Sequence, residues 1–135
     1  MIRAATAQDV PRVVNMLAAF HGASGIPAPF DAGATGGFVA ALLNRDDAAL
    51  IVADAGVIGG VIVPAWCAPQ WRIAVELFWW AGRDGLALLR AFETWAHEAG
   101  AQEIRMSTLT ALPRADGILR RKGYAATETS HAKVI

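Results

Sequence analysis

Between an apolar stretch and the clearest helical pattern of the chain stands Gly82-Arg83-Asp84-Gly85. A strand that enters a helix through a glycine-containing turn leaves the first N–H groups of that helix without intrahelical partners. They lie at the positive end of the helix dipole. That is an anion site, and one suited to a pyrophosphate. A single carboxylate, Glu76, is set inside the apolar run 73–80. Charged residues are rarely fully buried unless paired. Glu76 therefore faces the surface, pairs with Arg72 or Arg105, or serves chemistry in a cleft. His21 closes the first helical pattern beside a glycine-rich stretch. It reads as a base or substrate contact, or as a histidine that interacts with the helix dipole. His97 reads as an exposed helical residue near Glu93, and His131 as a satisfied sheet histidine. The three histidines lack the carboxylate or thiol spacing of a metal site, so none is expected. Cys67 has no histidine nearby in sequence and no Gly-x-Ser-x-Gly elbow exists, so nothing indicates nucleophilic catalysis.

The elements that must position these residues follow from periodicity. Residues 2–6 form a short strand. Thr6 and Asp9 offer N-cap oxygens for a helix with Pro11 in its first turn and Val10, Val13, Val14 and Leu17 on one face. Residues 22–37 hold five Gly and two Pro and read as a loop. A short helix follows at 38–43. Residues 49–53 and 57–64 form a hairpin across the turn 54–56, with Gly59-Gly60 marking a bulge or a close backbone approach. Residues 65–72 read as a Trp-containing loop and 73–80 as a strand, with Glu76 on the face of Phe78 and Trp80. Leu88, Phe92, Trp95 and Ala99 give a helix over 86–99, stopped by Gly100. A strand at 103–109, a helix at 115–122 and a last strand or hairpin in 124–135 complete the order β-α-α-β-β-β-α-β-α-β. That order predicts an α/β (α+β mixed) sheet domain with one right-handed crossover.

Composition bounds the rest. With 135 residues, of which 55% are hydrophobic and 18% charged, the chain has ample material for one core, and 1–135 reads as a single domain. Twelve basic and twelve acidic side chains cancel. The basic patch Arg120-Arg121-Lys122 is short, so no nucleic acid and no membrane surface is expected as partner. No apolar run approaches the roughly 20 residues of a membrane span. The opening residues lack the order of a signal peptide. One cysteine cannot form an internal disulfide, which points to a reducing, cytoplasmic location.

Three stretches in this order resemble the GNAT acyl-coenzyme A N-acyltransferase superfamily. IRAATAQDVPRVVNML is similar to its opening strand and helix. ELFWWAGRDGLALLRAFETWAHEAGA is similar to its strand, phosphate loop and central helix. ADGILRRKGYAATETSHAKVI is similar to its closing helix, Gly-aromatic step and final strands. The resemblance implies a GNAT-like fold with a mixed central sheet flanked by helices. It implies acetyl-CoA as cosubstrate and direct attack by the amine of a small-molecule or peptide acceptor. Phe78, Trp79 and Trp80 would supply backbone to the pantetheine arm, and Arg83, Asp84, Gly85, Leu86 and Ala87 would surround the phosphates. Glu76 would be the general base. The family often carries a Tyr acid where this chain has Leu119, and Tyr124 falls where the family commonly has a packing aromatic. Trp66, Trp71, Trp79 and Trp80 could wall an acceptor pocket, form a homodimer contact or fill the core. The other reading on the same fold is a scaffold protein that has lost efficient coenzyme A binding.

Overall fold

Residues 48–65 carry apolar side chains on both sides of the pleat, which suits strands covered on both faces. In the computed structural model, which describes residues 1–135, they form β2 (Ala48–Ala53) and β3 (Gly56–Ala65). With β1 (Arg3–Ala4), β4 (Ala68–Ala81) and β5 (Glu103–Arg105) they make one sheet in the order β1-β2-β3-β4-β5. Every pairing is antiparallel except β4–β5. That parallel pair is joined by the crossover helix α3 (Gly85–Glu98). A parallel pair needs such a crossover.

The two faces hold separate cores. Helices α1 (Val10–Ser24) and α2 (Ala32–Leu43) cover one face, where Val13, Leu17, Val39 and Leu42 meet Leu50, Val52, Val57, Val61 and Phe78. Helix α3 covers the other, where Leu88, Phe92 and Ala96 meet Ala49, Ile51, Ile58, Ile62 and Ala74. Alternation along β2 and β3 feeds both. A fourth helix, α4 (Arg114–Arg121), buries Leu119. At the sheet edge, Asp9 ties β1 to α1. Its carboxylate accepts from Arg3 at 2.7 and 2.9 Å, from the Thr6 amide at 2.8 Å and from Arg12 at 3.2 Å. These donors, Arg3 first, hold its pKa well below the usual carboxylate range.

Gly59 and Gly60 are required by space. A Cβ on Gly59 would stand 2.6 Å from the Phe78 ring, and one on Gly60 2.5 Å from the Phe92 ring and 2.6 Å from the Val75 carbonyl. The strands are therefore glycine here because a ring covers each face. Gly60→Ala should cost about 1–3 kcal/mol through overpacking against backbone that cannot yield, read as a lower melting temperature.

Four sequence expectations change. The 22–37 loop shrinks to 25–31, because α1 runs to Ser24 and α2 starts at Ala32. Helix α2 tolerates three glycines because the Asp31 side chain caps the Ala34 amide at 2.9 Å and because Val39 and Leu42 are buried. The 65–72 loop is instead a tight turn at Trp66-Cys67 that opens directly into β4. The strand at 103–109 ends at Arg105. Residues 124–135 form no strand. They are largely polar and exposed, and their one ion pair to the sheet, Glu128 with Arg105 at 3.8 Å, is between side chains. His131 accordingly lies in no sheet.

Candidate functional site

Strands β4 and β5 pair only from Ile73↔Glu103 to Val75↔Arg105. Beyond Val75, β4 continues to Ala81 with no strand on that side. The sheet therefore opens into a fork whose exposed wall is the backbone of residues 77–81. Glu76 stands where the strands part. The amide of Ser107, just past β5, donates to its Oε2 over a long 3.4 Å.

The pleat is broken at the same place. β3 and β4 pair Gly60↔Glu76 and Gly59↔Phe78, so Leu77 is an extra residue on β4. Such a bulge re-aims the side chains on either side of it. Glu76 shares the α3 face with Ala74, while Phe78 and Trp80 pack on the α1–α2 face. The expected alternation, with Glu76 beside Phe78 and Trp80, fails for that reason. Neither suggested ion pair forms. Arg72 donates to the Ala99 carbonyl, and Arg105 pairs with Glu103. Partly buried and without a cation, the Glu76 carboxyl is pushed up to about 7 by desolvation, against which the Ser107 amide acts weakly.

At the far end of the fork β4 runs into the turn Gly82-Arg83-Asp84 and then α3. Four residues of strand, about 13 Å at the usual rise, separate Glu76 from Trp80. A cleft of about 430 Å³ lies here, lined by Trp79, Trp80, Arg83, Gly85 and Leu86 on one side and by Ala111, Arg114 and Ile118 on the other. The Asp84 side chain makes no cap bond to the first turn of α3. The amides of Gly85, Leu86 and Ala87 are thus without a side-chain acceptor. Together with the guanidinium groups of Arg83 and Arg114 they give the cleft the character of an anion site. Arg114 is the residue that sequence reasoning missed. Only the placement of the start of α4 across the cleft from Arg83 and Gly85 brings it there, so no local signal marked it.

The remaining candidates sort by contact. His21 donates from Nε2 to the Ala28 carbonyl at 2.6 Å and lies against Phe30, centroids 5.5 Å apart, which holds the α1–α2 connection. Gly25 of that connection lies beside Ala111, whose Cβ would stand 3.7 Å from a Cβ placed on Gly25. Tyr124 donates to Glu93 at 3.2 Å, and Lys122 pairs with Glu93 at 3.1 Å. Burial and the Glu93 charge raise the Tyr124 pKa, and the ring binds α3 to the end of α4. His97 is exposed, and Glu93 is engaged elsewhere. The tryptophans divide. Trp66 is 96% exposed at the hairpin tip, Trp71 donates to Glu103 at 2.9 Å, and Trp80 packs on Phe20. No cluster of His, Cys, Asp or Glu has the geometry of a metal site. No helix is long and apolar enough to cross a membrane.

No protein-family model and no curated protein matches the sequence. Solved structures are similar along the whole chain. A Clostridium acetobutylicum protein described as an acetyltransferase, solved with acetyl-CoA, superposes with a TM-score of 0.80 at 11% identity, covering 99% of this chain and 95% of that one. A ribosomal-protein-alanine N-acetyltransferase of Brucella melitensis gives 0.75 at 14%, covering 100% and 98%. An aminoglycoside acetyltransferase from a soil metagenome, in complex with sisomicin, gives 0.72 at 15%, covering 100% and 95%. The chain has the GNAT acetyltransferase fold that its sequence resembles.

Proposed function

We propose that the chain is an acyl-coenzyme A-dependent N-acyltransferase that moves an acetyl group from acetyl-CoA to an amine of a small molecule or peptide, with residues 1–135 forming one such domain. The observation that carries this reading is the fork between β4 and β5, with a carboxylate at its apex and an uncapped helix N-terminus at its mouth. A scaffold that had lost its ligand would have no need to keep that carboxylate desolvated, nor a donor-lined cleft. The single cysteine is exposed and free, which suits a reducing, cytoplasmic location.

The residues present fit the cosubstrate. The amides of Gly85, Leu86 and Ala87, with Arg83, would hold its diphosphate, Asp84 would shape the turn, and the unpaired backbone of Phe78, Trp79 and Trp80 would bind the amide-rich arm. When bound, acetyl-CoA supplies an acyl group activated as a thioester. The chain's own part is positioning and proton transfer. Glu76, in its carboxylate form, takes the proton that the attacking amine loses, directly or through one water. Backbone N–H groups along the unpaired part of β4 face the reacting carbonyl and steady negative charge on its oxygen. Leu119 is buried and has no acidic proton to give, and Tyr124 is engaged with Glu93, so water protonates the departing thiolate.

Isothermal titration with acetyl-CoA tests the reading. Binding at micromolar to low millimolar ligand is expected. Gly85→Glu should weaken it by at least tenfold, because a carboxylate placed at the phosphate site repels the ligand and blocks close backbone approach. Absence of binding to the wild-type chain at millimolar ligand would leave the scaffold reading standing.

A further inference from the structure

Trp79 is the one residue with a buried side-chain nitrogen or oxygen that lacks a hydrogen-bond partner: its indole Nε1 is closed off from solvent and bonds to nothing. Buried donors in folded proteins are nearly always satisfied, so an orphan needs an explanation. The ring lies on the α3 face of the sheet, against the first turn of α3. From the place a Cβ on Gly85 would occupy, Cζ2 is 3.7 Å away and Nε1 4.0 Å. The orphan donor, the side-chain-free Gly85 and the uncapped amides of α3 therefore meet at one point of the cleft that Arg83 and Arg114 also line. Donors and positive charge converge there. Of the two carboxylates near them, Asp84 caps nothing, and Asp54, within electrostatic range of Arg83, is paired with the N-terminal amine at 3.1 Å.

On the reading of this cleft as an acyl-coenzyme A site, we infer that Trp79 binds the ligand through its side chain as well as its backbone. The indole N–H donates to a diphosphate oxygen seated at the first turn of α3. A phenylalanine would fill the same apolar seat on the sheet, so packing alone does not account for the nitrogen. An anionic oxygen makes the strongest partner for a lone N–H. The donor is already desolvated in the free chain, so the bond costs no further removal of water from the indole. Since the nitrogen is closed off before binding, the acceptor reaches it only as cleft side chains give way.

The test titrates wild type and Trp79→Phe with acetyl-CoA and with S-acetylpantetheine, which lacks the diphosphate. Trp79→Phe should lose about tenfold or more in affinity for acetyl-CoA and nothing for S-acetylpantetheine. Equal acetyl-CoA affinity in the two proteins overturns the assignment and leaves the acyltransferase reading intact. An equal loss for both ligands also overturns it, since the ring would then serve the pantetheine arm. Failure of the wild type to bind acetyl-CoA removes the site reading and the assignment together. Should the variant not fold, the wild type still decides by nuclear magnetic resonance. The Trp79 indole N–H signal, identified by its proximity to the Gly85 α-hydrogens, should move downfield as acetyl-CoA saturates the protein. A signal that stays in place overturns the proposal.

Discussion

Glu76→Gln is expected to lower turnover of a suitable amine by about 10²-fold or more, the usual worth of a general base, while acetyl-CoA affinity stays unchanged. The amide has the same shape and can still accept from the Ser107 amide. The wild-type rate should rise with pH through about 7, as the Glu76 carboxylate forms. The variant should lack that ionisation, and its deficit should shrink at high pH, where the amine deprotonates without help. Stability supplies a second readout with a definite sign. The folded-state pKa of Glu76 is raised to about 7 from an ordinary value of 4.5. Between those values the folded chain keeps a proton that the unfolded chain releases. The stabilisation is therefore fully present below about 4.5 and is lost as pH rises through 7, a change of about 3 kcal/mol at most. Glu76→Gln should abolish that slope and melt no lower than wild type at pH 8, since Glu76 pairs with no cation. A variant with wild-type rate at every pH would retire Glu76 as the base.

Phe92→Ala should have the largest effect on stability. Phe92 is fully buried, lies against the strand of Gly60 and packs on Trp95 with ring centroids 5.2 Å apart. Truncating such a ring costs about 3–5 kcal/mol, a large share of the roughly 5–15 kcal/mol that holds a domain together. The melting temperature should fall by roughly 10–20 °C. The loss should reach function as well. Phe92 anchors the helix whose first turn lines the cleft, so acetyl-CoA affinity should drop in the surviving folded fraction. Unchanged affinity there would show that the N-terminus of α3 is held by other contacts, such as Leu88 against Gly56.

Much of this was legible in the sequence because it is local. The hairpin β2–β3 is written in two apolar runs around Asp54-Ala55-Gly56, and α3 in the spacing of Leu88, Phe92 and Trp95. The Gly82–Gly85 turn marked the change from one to the other. Even the close approach at Gly59-Gly60 was readable, since adjacent glycines in an apolar strand have few other uses. What only the tertiary structure decided depends on partners distant in the chain. Helix α2 begins at Ala32, across glycines that disfavour it, because burial of Val39 and Leu42 against α1 outweighs about 1 kcal/mol per glycine. The bulge at Leu77 exists only in the register between β3 and β4, and it moves Glu76 to the α3 face against simple alternation. Residues 124–135 look strand-like enough by resemblance, yet β5 ends at Arg105 and offers them no backbone pairing. The fork is of the same kind. β4 carries the same residues whether or not a neighbour follows it, so the parting of β5 after Val75, and with it the desolvated carboxylate and the orphaned indole, comes from how two strands diverge in space.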